Sequence, residues 1–178
     1  MSYRRNFQQG GTYFLTLCLA DRKSDLLVEN IATLRLAYQK IQDKMPFYTN
    51  AIVIMPDHIH LLWTLPVDDS DYSSRIKLLK NYFTRQLPLN LKHTSNLSRK
   101  DKNEQGIWQR RFWEHTIRDE FDYNSHVEYI YFNPVKHGYV KNVKDWQFSS
   151  FHRDVKKGIF TLDWGSDLNI NTNLEFGE

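Results

Sequence analysis

The order of strand-like and helix-like segments constrains the fold of this chain more than any other feature. Residues 11–20 are rich in Thr, Tyr, Phe and Leu between glycines and charged residues, which is typical of a strand. Over residues 30–44, apolar side chains recur every three or four positions and predict an amphipathic helix. Two further strand-like runs, 48–55 and 59–65, flank a proline–aspartate turn and predict a hairpin.

The middle of the chain predicts a second helix and a long connection. Ser73 or Ser74 can cap a helix with an apolar stripe, and Pro88 ends it. Residues 89–106 are polar, mixed in charge and without periodicity, so we interpret them as a mobile loop.

The last predicted strand and helix complete the pattern. Residues 107–117 are strand-like, and Asp119 can cap a third helix that runs to about Asn133, where Pro134 stops it. The order is β-α-β-β-α-β followed by a helix. It predicts an α+β fold of the ferredoxin-like, split βαβ type, with two helices on one face of an antiparallel sheet, then a C-terminal helix and a tail. A short serine-capped helix is expected near residue 150.

Length and charge suggest one basic domain with an acidic tail. A chain of 178 residues has the size of one compact domain, which we assign to residues 1–157, with a tail over 158–178. All 24 basic side chains but only 17 of the 21 acidic ones lie in residues 1–157, which gives that part a formal charge of +7. Such a body suits a polyanionic ligand.

Composition also bears on location. No run approaches the ~20 consecutive apolar residues that cross a bilayer, and the first residues lack the apolar segment of a signal peptide. We therefore expect a cytoplasmic protein with no membrane partner. The single cysteine, Cys18, lies in an apolar run and is interpreted as a small buried side chain.

Aromatic and arginine side chains alternate in residues 108–113, Trp-Gln-Arg-Arg-Phe-Trp. Flat rings beside guanidinium groups suit unstacked nucleic-acid bases. For any single ring, however, a place in the core is the favoured interpretation.

Two histidines on a predicted strand form a candidate metal site. Side chains two residues apart on a strand point to the same face, so His58 and His60 can reach one ion. The pair could equally be two hydrogen-bonded structural histidines. Because Ile59 and Leu61 are expected in the core, the histidines should lie exposed on the opposite face of the sheet.

The third predicted helix can supply further groups. Tyr129 and Asn133 are four residues apart and share one helical face, with His126 one turn earlier. If the Tyr129 hydroxyl acts as a nucleophile, His126 is a conceivable base to accept its proton. Taken alone, these residues favour a structural interpretation, in which Tyr129 and Tyr131 are buried aromatics and Asn133 is a terminal residue before proline.

Several linked motifs carry a resemblance to a known family. They are Met55-Pro56-Asp57-His58-Ile59-His60, the segment 108–115 and the segment 129–138, within a match that runs from Tyr3 to Arg153. In this order they resemble the transposases associated with repetitive extragenic palindromes (REP), the REP-associated tyrosine transposases. These belong to the HUH endonucleases, named after two histidines around a hydrophobic residue.

The resemblance implies a mechanism and its residues. His58 and His60 would hold Mg²⁺ or Mn²⁺ with Asn133 as third ligand, and Tyr129 would attack a phosphate of single-stranded DNA. Tyr131 is turned about 200° from Tyr129 around the helix and cannot share its face. The product would be a 5′-phosphotyrosine and a free 3′-OH, and no nucleotide cofactor would be needed.

The implied partner is single-stranded DNA with a palindromic hairpin, bound by a monomer or homodimer. The candidate contacts to DNA backbone and bases, including Trp113 and Phe112 as stacking surfaces, are Arg4, Arg5, Arg110, Arg111, Phe112, Trp113 and Lys136.

Two other functions compete with this one. A regulator could bind nucleic-acid hairpins without cutting them. A zinc hydrolase could use His58 and His60 with a further ligand such as His115 on a small substrate. A covalent protein–DNA adduct would exclude both.

Overall fold

The computed structural model describes residues 7–91 and 106–166. The predicted contacts Arg4 and Arg5, residues 92–105 of the predicted loop and residues 167–178 of the tail lie outside this range. Among the described residues, no helix is long and apolar enough to span a bilayer. Besides two short 3-10 turns, the elements are β1 (Thr12–Cys18), α1 (Leu26–Glu29), α2 (Ile31–Lys44), β2 (Tyr48–Ile54), β3 (His58–Thr64), α3 (Tyr72–Gln86), β4 (Trp113–Thr116), α4 (Glu120–Lys136) and α5 (Phe151–Lys156).

The four strands form one antiparallel sheet in the order β2-β3-β1-β4. This is the order expected of the split βαβ arrangement, and it confirms the predicted α+β fold. Strand β1 lies in the middle, where it pairs Thr16 with His60 of β3 and with Trp113 of β4. Both candidate histidines lie on β3, the other central strand.

Alternation along the strands divides the core in two. Odd-numbered β1 residues such as Leu15 join the apolar residues of α2 and α3 on one face, together with Ile59 and Leu61 of β3. The even-numbered Phe14 lies on the other face with the buried residues of α4 and α5. The histidines of β3 therefore face α4, on the side of the sheet predicted from their spacing.

The predicted strand over residues 107–117 forms only at its end. Trp108 makes an isolated bridge with Leu19, whereas regular pairing begins at Thr16 opposite Trp113. Two residues of β1 lie between these pairs, against four on the other segment. Gln109 still donates its N–H to the Cys18 carbonyl at 2.9 Å, but the surplus residues cannot pair regularly. In this bulge, residues 109–112, the side chains of Arg110 and Arg111 are exposed.

Pro134 does not end α4, as the sequence had predicted. The helix continues to Lys136, and the His137 N–H donates to the Asn133 carbonyl at 3.0 Å. Proline lacks the N–H of the helical ladder and its ring crowds the carbonyl four residues earlier, which can kink a helix without ending it. The buried turn before it holds the helix on the sheet, so the continuation brings Lys136 towards the candidate site.

Two of the three predicted helix caps differ in the structure from the prediction. Asp119 caps α4 as predicted, but Asp71 caps α3 in place of a serine, accepting from the Ser74 N–H at 2.9 Å. Helix α5 begins after Ser150, whose hydroxyl instead accepts from the Ile52 N–H of β2 at 3.0 Å. That bond ties the C-terminal part of the domain to the sheet edge.

Candidate active site

The two candidate histidines are buried beneath α4. His58 is 1% exposed and His60 0% exposed, and their ring centroids are 4.8 Å apart. The expectation of an exposed pair was therefore wrong, because α4 covers the face that the sequence left open. A buried imidazole must be hydrogen-bonded or coordinated, so its neighbours determine what it can do.

Helix α4 brings both of its candidate side chains to the histidines. The Asn133 Oδ1 lies 3.3 Å from the His58 Nε2, and the Tyr129 ring centroid lies 5.2 Å from that of His60. Spacing of four residues puts Tyr129 and Asn133 on one face of the helix. The four side chains thus form one group between β3 and α4.

Each histidine is held through its Nδ1. Asp57 Oδ1 lies 2.8 Å from the His58 Nδ1, and the other Asp57 oxygen pairs with the Arg22 guanidinium at 2.8 Å. The Thr16 hydroxyl lies 2.9 Å from the His60 Nδ1. The Nε2 of His58 consequently faces Asn133.

The pairing of His58 with Asn133 fits a divalent cation. If the Nδ1 proton is donated to Asp57, the Nε2 lone pair faces the amide oxygen, another acceptor, at 3.3 Å. A cation between the two atoms satisfies both. With bonds of about 2.1 Å, neighbouring ligands of an octahedral Mg²⁺ lie about 3 Å apart, close to the observed distance.

Tyr129 also has a cationic neighbour. The Lys136 Nζ lies 3.5 Å from the Tyr129 hydroxyl and 4.9 Å from the ring centroid. The Phe14 ring contacts the Tyr129 ring edge to face, with centroids 6.0 Å apart. These contacts fix the ring and put a positive charge beside its oxygen.

Tyr131 lies on another side of α4, in different surroundings. Its hydroxyl donates to the Asp154 carboxylate and lies 3.1 Å from the Ser150 hydroxyl. Burial, and then the hydrogen bond to the carboxylate, raise the pKa of Tyr131 above its usual value. Tyr131 is therefore a structural phenol that links α4 to α5.

Sequence reasoning missed a second histidine cluster beside the first. His115, Asp122 and His126 offer ligand atoms within 4.8 Å of one another, a spacing compatible with a divalent metal. Asp122, however, already accepts hydrogen bonds from His115 at 2.8 Å and from the Arg118 backbone N–H at 3.0 Å. The four-residue spacing of Asp122 and His126, which puts both on one face of a helix, could have predicted this cluster from the sequence.

This second cluster bears on two earlier assignments. The His115 ring stacks on His126, with centroids 4.8 Å apart, and is bonded to Asp122, so a zinc site formed from His58, His60 and His115 gains no support. The His126 Nδ1 lies 2.7 Å from the Asp122 carbonyl, and burial lowers the pKa of His126. The described hydrogen bond of His126 thus lies within α4 and gives no support to a role as the base for Tyr129.

His137 was also missed, because the sequence analysis ended the helix at Pro134. Its ring centroid lies 5.4 Å from that of His58, at the exposed end of α4. It follows Asn133 by four residues, the spacing that relates Asn133 to Tyr129.

The predicted DNA contacts occupy both faces of the sheet. Trp113 is 46% exposed and is paired with Thr16, which points to the His60 side. Phe112 is half-buried on the α3 side, where its ring centroid lies 6.2 Å from that of Tyr72. Trp113 is therefore the ring available near the candidate site.

Known proteins are similar to this chain in sequence. The family described as Transposase IS200 like matches residues 8–133. A REP-associated tyrosine transposase of Escherichia coli K12 is 47% identical over 176 residues, covering 99% of this chain and 96% of the relative. A Haemophilus influenzae protein assigned to the same group is 53% identical over 175 residues, covering 97% of this chain and 99% of the relative.

A known structure shares the fold as well. A REP-associated tyrosine transposase solved with a bound REP hairpin has a TM-score of 0.85 and 44% identity, covering 100% of this chain and 97% of that chain. The chain belongs to the REP-associated tyrosine transposases. The resemblance found in its motifs is confirmed. Membership of the REP-associated tyrosine transposases implies a DNA-cleaving enzyme and suggests a divalent metal.

The Asp122 cluster of this REP-associated tyrosine transposase predicts a pH-dependent contribution to stability. Burial would raise the pKa of Asp122, but hydrogen bonds from His115 and Arg118 outweigh it, and the pKa is lowered. The stabilisation is therefore complete above the ordinary aspartate pKa of about 3.9 and is lost as pH falls through the lowered value.

We expect Asp122→Asn to reduce the free energy of unfolding by ~1–3 kcal/mol at neutral pH, because charge-assisted hydrogen bonds are lost. Urea titrations of wild type and variant should converge in strongly acidic buffer. A difference that stays constant down to that pH would contradict the assignment. Asp68→Asn, at an exposed position, is the control.

Proposed function

We propose that this chain is a metal-dependent transposase that binds single-stranded DNA hairpins and cleaves and rejoins the strand through a 5′-phosphotyrosine. The observation that carries the proposal is the meeting of Tyr129, Asn133, His58 and His60 between β3 and α4. Nucleophile and candidate metal ligands lie side by side there, as strand transfer requires.

In this mechanism the Tyr129 hydroxyl attacks a DNA phosphate in line with the departing 3′ oxygen. A bond from the phenolic oxygen to phosphorus forms and the bond to the 3′ oxygen breaks, which yields a 5′-phosphotyrosine and a 3′-OH. The Lys136 ammonium, 3.5 Å away, would stabilise negative charge on the phenolic oxygen. One phosphodiester replaces another, so a 3′-OH can reverse the step without a nucleotide cofactor.

His58, His60 and Asn133 would hold Mg²⁺ or Mn²⁺. Support comes from the facing acceptors of His58 and Asn133, since a mixed nitrogen and oxygen set suits a cation that completes its shell with water and phosphate. The bound ion would polarise a phosphoryl oxygen. The buried walls exclude bulk water and keep these ligands oriented.

The proposed DNA surface lies around the bulge over residues 109–112, directly before β4. Exposed Arg110 and Arg111 suit phosphates, and Trp113 suits a base stacked near the active site. A relative at 44% identity was solved with a REP hairpin, which supports a hairpin as the ligand here. Arg4, Arg5, Phe112 and Lys136 remain predicted contacts.

Replacing Tyr129 tests the nucleophile. Tyr129→Phe removes one oxygen and should abolish the covalent adduct with 3′-labelled hairpin DNA, whose label lies on the fragment that stays bound to the tyrosine, while hairpin affinity stays within a few-fold of wild type. Tyr131→Phe is the matched control, since it also removes one phenolic oxygen from α4, and it should still form the adduct. An adduct in the Tyr129→Phe protein would refute the assignment. The absence of any adduct in wild type would favour the non-cleaving regulator.

Removing the ligands tests the metal. His58→Ala and His60→Ala should reduce cleavage below detection, whereas Asn133→Ala should be milder because water can replace one oxygen ligand. Because both histidines are buried, each alanine variant should also lose ~1–3 kcal/mol of stability, so cleavage is assayed well below its measured Tm. Wild-type cleavage that survives exhaustive EDTA treatment would exclude the metal.

Replacing Trp113 tests the DNA surface. Trp113→Ala should weaken hairpin binding by ~1–3 kcal/mol, roughly 5- to 150-fold in Kd, through lost stacking. Tyr48→Ala is the control, because Tyr48 is an exposed aromatic on β2, at the opposite edge of the sheet. Equal losses in both variants, or equal wild-type affinity for a blunt duplex, would contradict the proposed surface.

A further inference from the structure

Three side chains form a hydrogen-bonded chain that ends on His58. Arg22 Nε pairs with one Asp57 oxygen at 2.8 Å, and the other Asp57 oxygen lies 2.8 Å from the His58 Nδ1. Asp57 is 7% exposed. A buried carboxylate needs a counter-charge, and Arg22 supplies it from the segment after β1.

The backbone around Asp57 is fixed as firmly as its side chain. The Leu19 N–H donates to the Asp57 carbonyl at 2.8 Å, and the Met55 N–H donates to the His58 carbonyl at 2.9 Å. The Leu27 N–H, from α1, donates to the Pro56 carbonyl at 3.1 Å. Asp57 therefore meets the imidazole from a turn that is closed by its own hydrogen bond between Met55 and His58 and held by two other segments, the residue after β1 and α1.

The chemistry of the pair sets the direction of the imidazole. A carboxylate only accepts hydrogen bonds, and a neutral imidazole has one N–H. With Asp57 on Nδ1, the proton is held there, and the lone pair is left on Nε2, the atom that faces Asn133. His60 differs, because its partner is the Thr16 hydroxyl, which can donate or accept.

We infer that Asp57, itself held by Arg22, is a positioning residue that fixes the tautomer of His58 and presents its Nε2 as a ligand. The inference rests on the proposed function for the role of that ligand, but the tautomer is a property of the metal-free protein. Partners of this kind also raise the basicity of the ligating nitrogen.

The experiment uses full-length protein carrying Tyr129→Phe, so that no strand is cut. The first readout is the pair of imidazole ¹⁵N shifts of His58 in metal-free protein at alkaline pH, where imidazoles are in general neutral. We expect only the Nδ1–H tautomer with Asp57 in place, and a mixture in Asp57→Ala. Asp57→Asn keeps an amide acceptor and should give an intermediate result.

The second readout is Mn²⁺ affinity by electron paramagnetic resonance. Asp57→Ala should weaken Mn²⁺ binding about 10- to 100-fold. Arg22→Gln should weaken it less, because Asp57 remains in place. Asp68→Asn removes an exposed carboxylate and should change neither readout.

The outcomes separate this inference from the proposed function. An Asp57→Ala protein in which His58 keeps the Nδ1–H tautomer alone overturns the inference, as does unchanged Mn²⁺ affinity in that variant when His58→Ala abolishes binding. If His58→Ala still binds Mn²⁺ with wild-type affinity, the proposed metal site is wrong, and the tautomer shift then decides the role of Asp57. Near-ultraviolet circular dichroism confirms that each variant is folded.

Discussion

The packing of α4 over the histidines of β3 is the contact on which the rest of the site depends. Burying two imidazoles is unfavourable unless their nitrogen atoms are satisfied. Asp57 and Thr16 each lie within hydrogen-bond distance of one Nδ1, and the His58 Nε2 faces the Asn133 oxygen, where the proposed cation would satisfy both atoms. The same contact brings Tyr129 against His60. Cover, hydrogen-bond partners and nucleophile therefore come from one helix-on-sheet interface, so the site is organised as the domain folds.

The sheet divides stability and chemistry between its faces. On the α2 and α3 side, the core is mainly apolar, with side chains such as Leu15, and its Trp63 donates from Nε1 to the Tyr38 hydroxyl at 2.7 Å. On the α4 side, buried apolar residues such as Leu62 and Ile130 lie around the polar side chains of the candidate site. A low local dielectric strengthens electrostatic interactions within the candidate site. Such surroundings suit the transfer of a charged phosphoryl group.

The sequence allowed the fold, the histidine face and the pairing of Tyr129 with Asn133 to be predicted, because all three follow from local periodicity. The two-residue spacing on a strand put His58 and His60 on one face of the sheet. The four-residue spacing on a helix put Tyr129 and Asn133 on one face of α4. Burial of the histidines was not predictable, because it depends on where α4 packs. The exposed arginine bulge escaped prediction because it arises from unequal numbers of residues between two paired positions, and His137 escaped because Pro134 was expected to stop the helix.

The two tyrosines of α4 show how surroundings divide roles between identical side chains. The Tyr131 hydroxyl donates a hydrogen bond to Asp154, which also accepts from Arg153. The Arg153 guanidinium donates in addition to the Thr49 carbonyl of β2 at 2.8 Å. A phenol that donates to a buried carboxylate resists ionisation, so Tyr131 serves as an anchor that fastens the back of α4 to the sheet edge. Tyr129 instead has the Lys136 ammonium beside its oxygen, which favours negative charge there. The anchor and the proposed nucleophile thus lie on one rigid helix, and fixing the first holds the second in register with the histidines.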